Sequence, residues 1–121
     1  MKKNKDKINS TIEGQIHRIL YQVLASTKSE IEIEQFLRSV MTEAEVLAVA
    51  KRLAIAVFLD KGQSYERIKD VLRVSSATIA DVSENMDKKG LQNALQQIKA
   101  EEWADMWSIR LSRALEKLIK T

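Results

Sequence analysis

An all-α fold is what this sequence predicts, on three observations. Proline is absent and glycine occurs only three times, so few positions force a helix to stop. Aromatic residues are 5% of the chain against 45% hydrophobic residues in all. That leaves a core of Leu, Ile, Val and Ala, a composition suited to packed helices. Finally, apolar residues recur at three- and four-residue intervals along most of the chain. At 121 residues the length suits one all-helical domain, expected over residues 8–121.

Residues 1–7 are lysine-rich and without periodicity, and are expected to form a disordered basic tail. A first helix is expected from about Ile8 to Ala25, where Ile12, Ile16, Ile19, Leu20, Val23 and Leu24 recur at helical spacing. Ser26, Thr27 and Ser29 mark a break. Ser29 can cap a second helix carrying Ile33, Phe36, Leu37 and Val40 on one side. Thr42 opens the third helix with Glu45 three residues on, the reciprocal capping arrangement. Val46, Leu47, Val49, Ala50, Leu53, Ala54, Val57 and Phe58 make that helix apolar around much of its girth, which predicts burial on several sides. Gly62 stands where a C-terminal glycine belongs, and Asp87-Lys88-Lys89-Gly90 reads as a second stop of the same kind. From Leu91 to Lys120 no breaker occurs. This C-terminal extension is expected as one long helix, or as two with a seam near Lys99 to Glu102.

Between the two glycine stops, residues 64–88 satisfy the demands of a helix-turn-helix. The first helix must bury two apolar residues four apart, and Ile68 and Leu72 do so. The turn must tuck one apolar residue inward, which Val74 supplies. The second helix must bury two more, and Ile79 and Val82 lie three apart on one face. Ser64 is a natural N-cap for the first helix, and Ser75 or Ser76 for the second. Ser76, Ala77, Ala80, Asp81 and Ser83 are then left near the outer face of helix 76–88, short side chains that allow close approach to a DNA major groove. Two positions depart from the usual pattern. Arg73 stands where a turn glycine is common, at a cost of about 1 kcal/mol if the residue must be left-handed. Lys69 stands where small residues are usual; its stem can lie over the turn while the ammonium faces a phosphate.

This segment resembles the Trp repressor family and its wider group of Trp-repressor-like regulators. The resemblance rests on Met41-Thr42 with Glu45 opening a helix, Ala48 and Arg52 within it, and Leu59 and Gly62 at its end. Ile68-Lys69, Leu72 and Ala77-Thr78-Ile79 complete it, over roughly Glu34 to Gly90. The resemblance implies an intertwined all-helical homodimer with two reading heads about one DNA turn, roughly 34 Å, apart. It also implies double-stranded DNA as the partner and sequence-specific transcriptional regulation as the function. On that analogy Ser76, Ala77 and Ala80 face the bases and Lys69 lies near the backbone; Ser75, Thr78 and Asp81 complete the expected DNA-binding set. The family's effector, tryptophan, is gripped by two arginines. Arg52 matches the first, and Thr42 matches a polar residue of that pocket, so these two mark a possible effector pocket. Asp81 occupies the second arginine's place. A carboxylate there inverts the electrostatics, so tryptophan is not expected as corepressor and any small-molecule effector is undefined.

The remaining signals narrow the field. Net charge is +3 with a pI near 9.2, which permits nucleic-acid binding without requiring it. Within residues 64–90, Arg67, Lys69, Arg73, Lys88 and Lys89 oppose Glu66, Asp70, Asp81, Glu84 and Asp87. An even balance means that basic groups from elsewhere must supply phosphate affinity. Cysteine is absent, which excludes disulfides, thiol catalysis and thiolate metal sites. His17, the single histidine, reads as an ordinary surface or satisfied residue, so neither metal nor cofactor is expected. Trp103 and Trp107 lie four apart and read as core or dimer seam. Arg110, Arg113, Lys117 and Lys120 make the last helix basic, as the helix dipole favours. No signal peptide is visible and the longest apolar run, Leu53 to Leu59, is far short of the roughly 20 residues needed to span a bilayer. A cytoplasmic location is expected. Two alternatives stay open: a helix-turn-helix scaffold used for protein contact, and a small all-α enzyme. For the latter, no nucleophile–base or paired-carboxylate spacing stands out.

Overall fold

The structure, a computed structural model, describes residues 7–100 and 103–120, with side chains for 7–100 and 109–119. Seven helices and no strand occur among the described residues: α1 (Ser10–Ser26), α2 (Glu30–Val40), α3 (Glu43–Asp60), α4 (Tyr65–Leu72), α5 (Ser76–Glu84), α6 (Lys89–Ala100) and α7 (Trp103–Lys120). The fold is all-α. The expected basic tail lies outside the described residues except for Lys7.

Local chemistry sets most of the helix starts. Asn9 caps α1 by accepting from the Thr11 N–H at 2.8 Å, so the helix begins two residues later than Ile8. Ser29 caps α2 by accepting from the Glu32 N–H. At the head of α3 the capping box is complete: the Thr42 N–H donates to the Glu45 carboxylate at 2.7 Å, and the Glu45 N–H donates to the Thr42 hydroxyl at 3.1 Å. Those bonds, the backbone one first, hold the Glu45 carboxyl below its ordinary range. Gly62 adopts φ 78° after α3, the left-handed turn that glycine makes at least cost.

The chain divides into two units, one running to Val46 and one from Leu47 onward. In the first, neither α1 nor α2 contains a buried residue. Ile12, Ile16, Ile19, Leu20, Tyr21, Ile33 and Val40 are exposed. His17 is exposed, with its ring centroid 6.1 Å from that of Tyr21.

The second unit holds the core. Ala54, Ile55, Ala56, Val57 and Phe58 of α3 meet Ile68 and Leu72 of α4, Ile79 and Val82 of α5 and Leu95 of α6, with Leu111 of α7 packed against them. Burial of α3 on several sides therefore holds for 54–58 only. Leu47, Val49 and Leu53 are exposed, because α4, α5 and α6 close over just the last turns of the helix. The Lys99 ammonium meets the Asp60 carboxylate at 3.1 Å, tying α6 to the end of α3.

Two further boundaries differ from expectation, and a third falls where one of the two stated alternatives put it. α5 stops at Glu84, not 88, so the helix-turn-helix ends four residues early. The Asn85 and Met86 N–H groups fold back onto Val82 and Ser83, the tight three-residue bonds that close a helix end. Gly90 is no stop: it lies in the first turn of α6, and Gly62 is the one glycine with positive φ. The C-terminal extension is two helices, α6 and α7, which pack against each other. The seam falls between Ala100 and Trp103, and the side chains of Trp103 and Trp107 lie outside those described.

Candidate nucleic-acid interface

α4 and α5 pack as the two arms of the motif. Ile68 and Ile79 are fully buried, Leu72 and Val82 nearly so, and Val74 tucks in from the turn as a half-buried residue. Full burial of such aliphatic side chains stabilises by about 1.5–3 kcal/mol each. Ser64 caps α4 by accepting from the Arg67 N–H. The helix ends on Arg73 at φ 56°, in the left-handed region. The position expected to require a glycine-like conformation does adopt it, with an arginine. Lys51 of α3 donates to the Arg73 carbonyl at 3.4 Å, which satisfies an acceptor the turn leaves bare.

Ser75, not Ser76, is the N-cap of α5. Its hydroxyl accepts from the Thr78 N–H at 3.1 Å and lies 3.0 Å from the Thr78 hydroxyl. Ser75 and Thr78 are therefore engaged in building the helix start, and Thr78 is half-buried. With Ile79 and Val82 inward, the exposed positions of α5 are Ser76, Ala77, Asp81, Ser83 and Glu84, while Ala80 is half-buried between them. Lys69 is exposed on α4.

Asp81 does not stand alone. Its carboxylate pairs with the Arg52 guanidinium of α3, across 29 residues of sequence. Arg52 also lines a cleft of about 350 Å³ with Val49, Leu53, Val82, Asn85 and Leu91. Asn85 reaches back to donate to the Asp81 carbonyl at 2.7 Å. Of the two expected effector-pocket residues, Arg52 is thus brought to Asp81, and Thr42 sits in the capping box of the other unit.

Lys51 and Arg67, outside the expected set, also carry cations on this part of the fold. Lys51 places an ammonium at the turn between α4 and α5, but the separation from Arg73 hides this in the sequence. Arg67 donates to the Ser112 hydroxyl of α7 at 2.9 Å. Lys51 and Arg52 of α3 add two cations to a head that is balanced over residues 64–90, which answers part of the charge shortfall.

A capped pair of short helices on a buried aliphatic core, with small side chains along the exposed face of the second, defines the class: an all-α helix-turn-helix protein. The Trp repressor protein family model matches residues 15–100, and the chain belongs to that family, one of DNA-binding helix-turn-helix regulators. The match extends the resemblance seen over Glu34 to Gly90 to α6 and to all of α1 but its first turns, and leaves α7 outside. No individual curated protein and no solved structure matches the chain. Among the described residues no group of His, Asp or Glu is arranged to hold a metal ion, and no helix is long and apolar enough to cross a membrane.

Proposed function

We propose that the protein is a homodimeric, sequence-specific transcriptional regulator that inserts α5 into the major groove of double-stranded DNA. The observation that carries this reading is the exposed side of α5. Ser76 and Ala77 begin a serine-capped helix held from behind by Ile79 and Val82, so the backbone can approach base edges closely. Lys69, Lys51 and Arg73 surround the turn that feeds this helix, where phosphates would lie.

The dimer is supported by what the single chain leaves bare. α1 and α2 bury nothing, and α3 exposes Leu47, Val49 and Leu53. Apolar surface left bare on this scale marks an association face. Tryptophan as effector is disfavoured by the Arg52–Asp81 pair, since a ligand carboxylate approaching Arg52 meets a negative charge already in place. The same pair makes an enzyme pocket for acidic metabolites a poor fit.

Lys69→Ala and Ala80→Leu test the placement of α5. Lys69→Ala is expected to weaken binding about equally for all sequences and, being lost from both heads, to lower the salt slope by about 2. Ala80→Leu is expected to change which sequences are selected from a random pool. If both variants bind like the parent, α5 is not the reading helix.

A further inference from the structure

We infer that α7 is a dimer clamp, its apolar groove seating the acidic helix α2 of a second copy of this chain. This rests on the homodimer reading and names a contact within it. α7 lies beyond residues 15–100, the part that the family model matches, so its role needs a separate source.

Between α7 and the end of α4 runs an open groove of about 600 Å³ walled by Val71, Leu111, Ala114, Leu115, Leu118 and Ile119, with Asp70 and Arg73 also lining it from α4 and its cap. Leu111 and Leu115 are half-buried, but Leu118 and Ile119 are 72% and 76% exposed. Arg110, Arg113 and Lys117, at spacings of three and four, are exposed along one side of α7, with Arg110 and Lys117 next to Ala114 of this strip, and they outnumber the exposed Glu116. Residues so spaced share one side of a helix. The groove therefore asks for an apolar ridge with carboxylates along its flank.

α2 presents that surface. Ile33, Phe36, Leu37 and Val40 form its strip, none of them buried. Glu30 and Glu34, four apart, run beside the strip and line its shallow cleft with Ile33, Leu37, Arg38 and Val46. Arg38 is already engaged by Glu34 at 3.1 Å and Glu43 at 3.6 Å, so Glu30, Glu32 and Glu34 leave the helix with an acidic excess. α1 is the other bare helix, but Glu13 and Arg18 balance there and give a basic groove nothing to select. Twofold symmetry then forms the contact twice, α2 of each copy on α7 of the other.

The experiment is sedimentation equilibrium on the full chain, with Arg110→Glu/Arg113→Glu as one variant and Glu30→Lys/Glu34→Lys as the other. Each alone sets like charges against each other and is expected to raise the dimer Kd on the order of tenfold. Mixed in equal amounts, the two are expected to recover parental association as a heterodimer, because every reversed helix then meets a reversed partner. Should a reversal variant fail to fold, Arg110→Gln/Arg113→Gln serves instead, and its dimer Kd is expected to lose most of the salt dependence of the parent. A dimeric parent whose Kd none of these variants alters overturns the clamp and leaves the homodimer standing. Rescue by all four substitutions in one chain, without rescue on mixing, places the pairing within a chain and also overturns it. A parent that is monomeric at tens of micromolar overturns the homodimer, and the clamp with it.

Discussion

Asp81 puts a carboxylate on the exposed side of the helix proposed to meet DNA, and Arg52 answers it from α3. The two side chains are 44% and 55% exposed, and a pair so placed contributes about 0–1 kcal/mol to stability. In the proposed complex its larger effect would be to neutralise a charge that phosphates repel. Arg52→Gln is accordingly expected to leave the melting temperature within a few degrees of the parent and to weaken DNA binding several-fold. Adding Asp81→Asn to that background is expected to recover the affinity, measured by anisotropy on one duplex. The residue types at 52 and 81 were legible in the sequence; that they bond to each other was not, because helical spacing says nothing about which faces of α3 and α5 converge. Arg73 makes the opposite case, since its conformation follows from its place in the turn. Arg73→Gly relieves the left-handed φ of 56° and is expected to stabilise the fold by about 1 kcal/mol in urea denaturation. Glu45 carries a pH effect. Its carboxyl is lowered in the folded chain by the Thr42 bonds, so its contribution is present above the unfolded value and is lost as pH falls through the folded one. Comparing acid unfolding of the parent and Glu45→Gln is expected to show a shallower acid decline for the variant.

At the scale of elements, most side-chain caps and the turns at Gly62 and Arg73 were legible, and the end of α5 was not. Asn9 and Ser75 show how narrow the margin is, each displacing the expected start or choosing between neighbouring candidates by a single hydrogen bond. The end of α5 was misplaced because Asp87 to Gly90 has the residue types of a helix stop, while the actual stop uses backbone bonds at Asn85 and Met86 that leave no compositional mark. α5 is nonetheless anchored by the residues its spacing predicts. Ile79→Ala is expected to cost about 2–5 kcal/mol, as for other fully buried aliphatic truncations. Ser83→Ala, on the exposed face of the same helix, is expected to stay within about 0.5 kcal/mol. Similar losses from the two substitutions in a denaturant series are not expected of a helix oriented in this way.

At the scale of the molecule, periodicity predicted more burial than one chain delivers. The apolar spacing of α1, α2 and the first half of α3 is real, yet those faces are bare in the single chain, and in the proposed homodimer the second copy would supply their cover. Apparent stability is therefore expected to rise with protein concentration, as it does when association and folding are linked. The fold class and the helix-turn-helix were open to reading because their signals are local. The contacts of Lys51 and Arg52 that supplement the charge of the head were closed to it, because they span the chain. The central claim, that α5 and the cations around its turn hold DNA, is met most directly by an anisotropy titration of the purified protein against a random duplex pool over a range of salt. With Lys51, Lys69 and Arg73 on each of two heads, the logarithm of the affinity is expected to fall against that of salt with a slope of about −5. No detectable binding at a salt concentration of about 50 mM, or binding indifferent to salt, would contradict it.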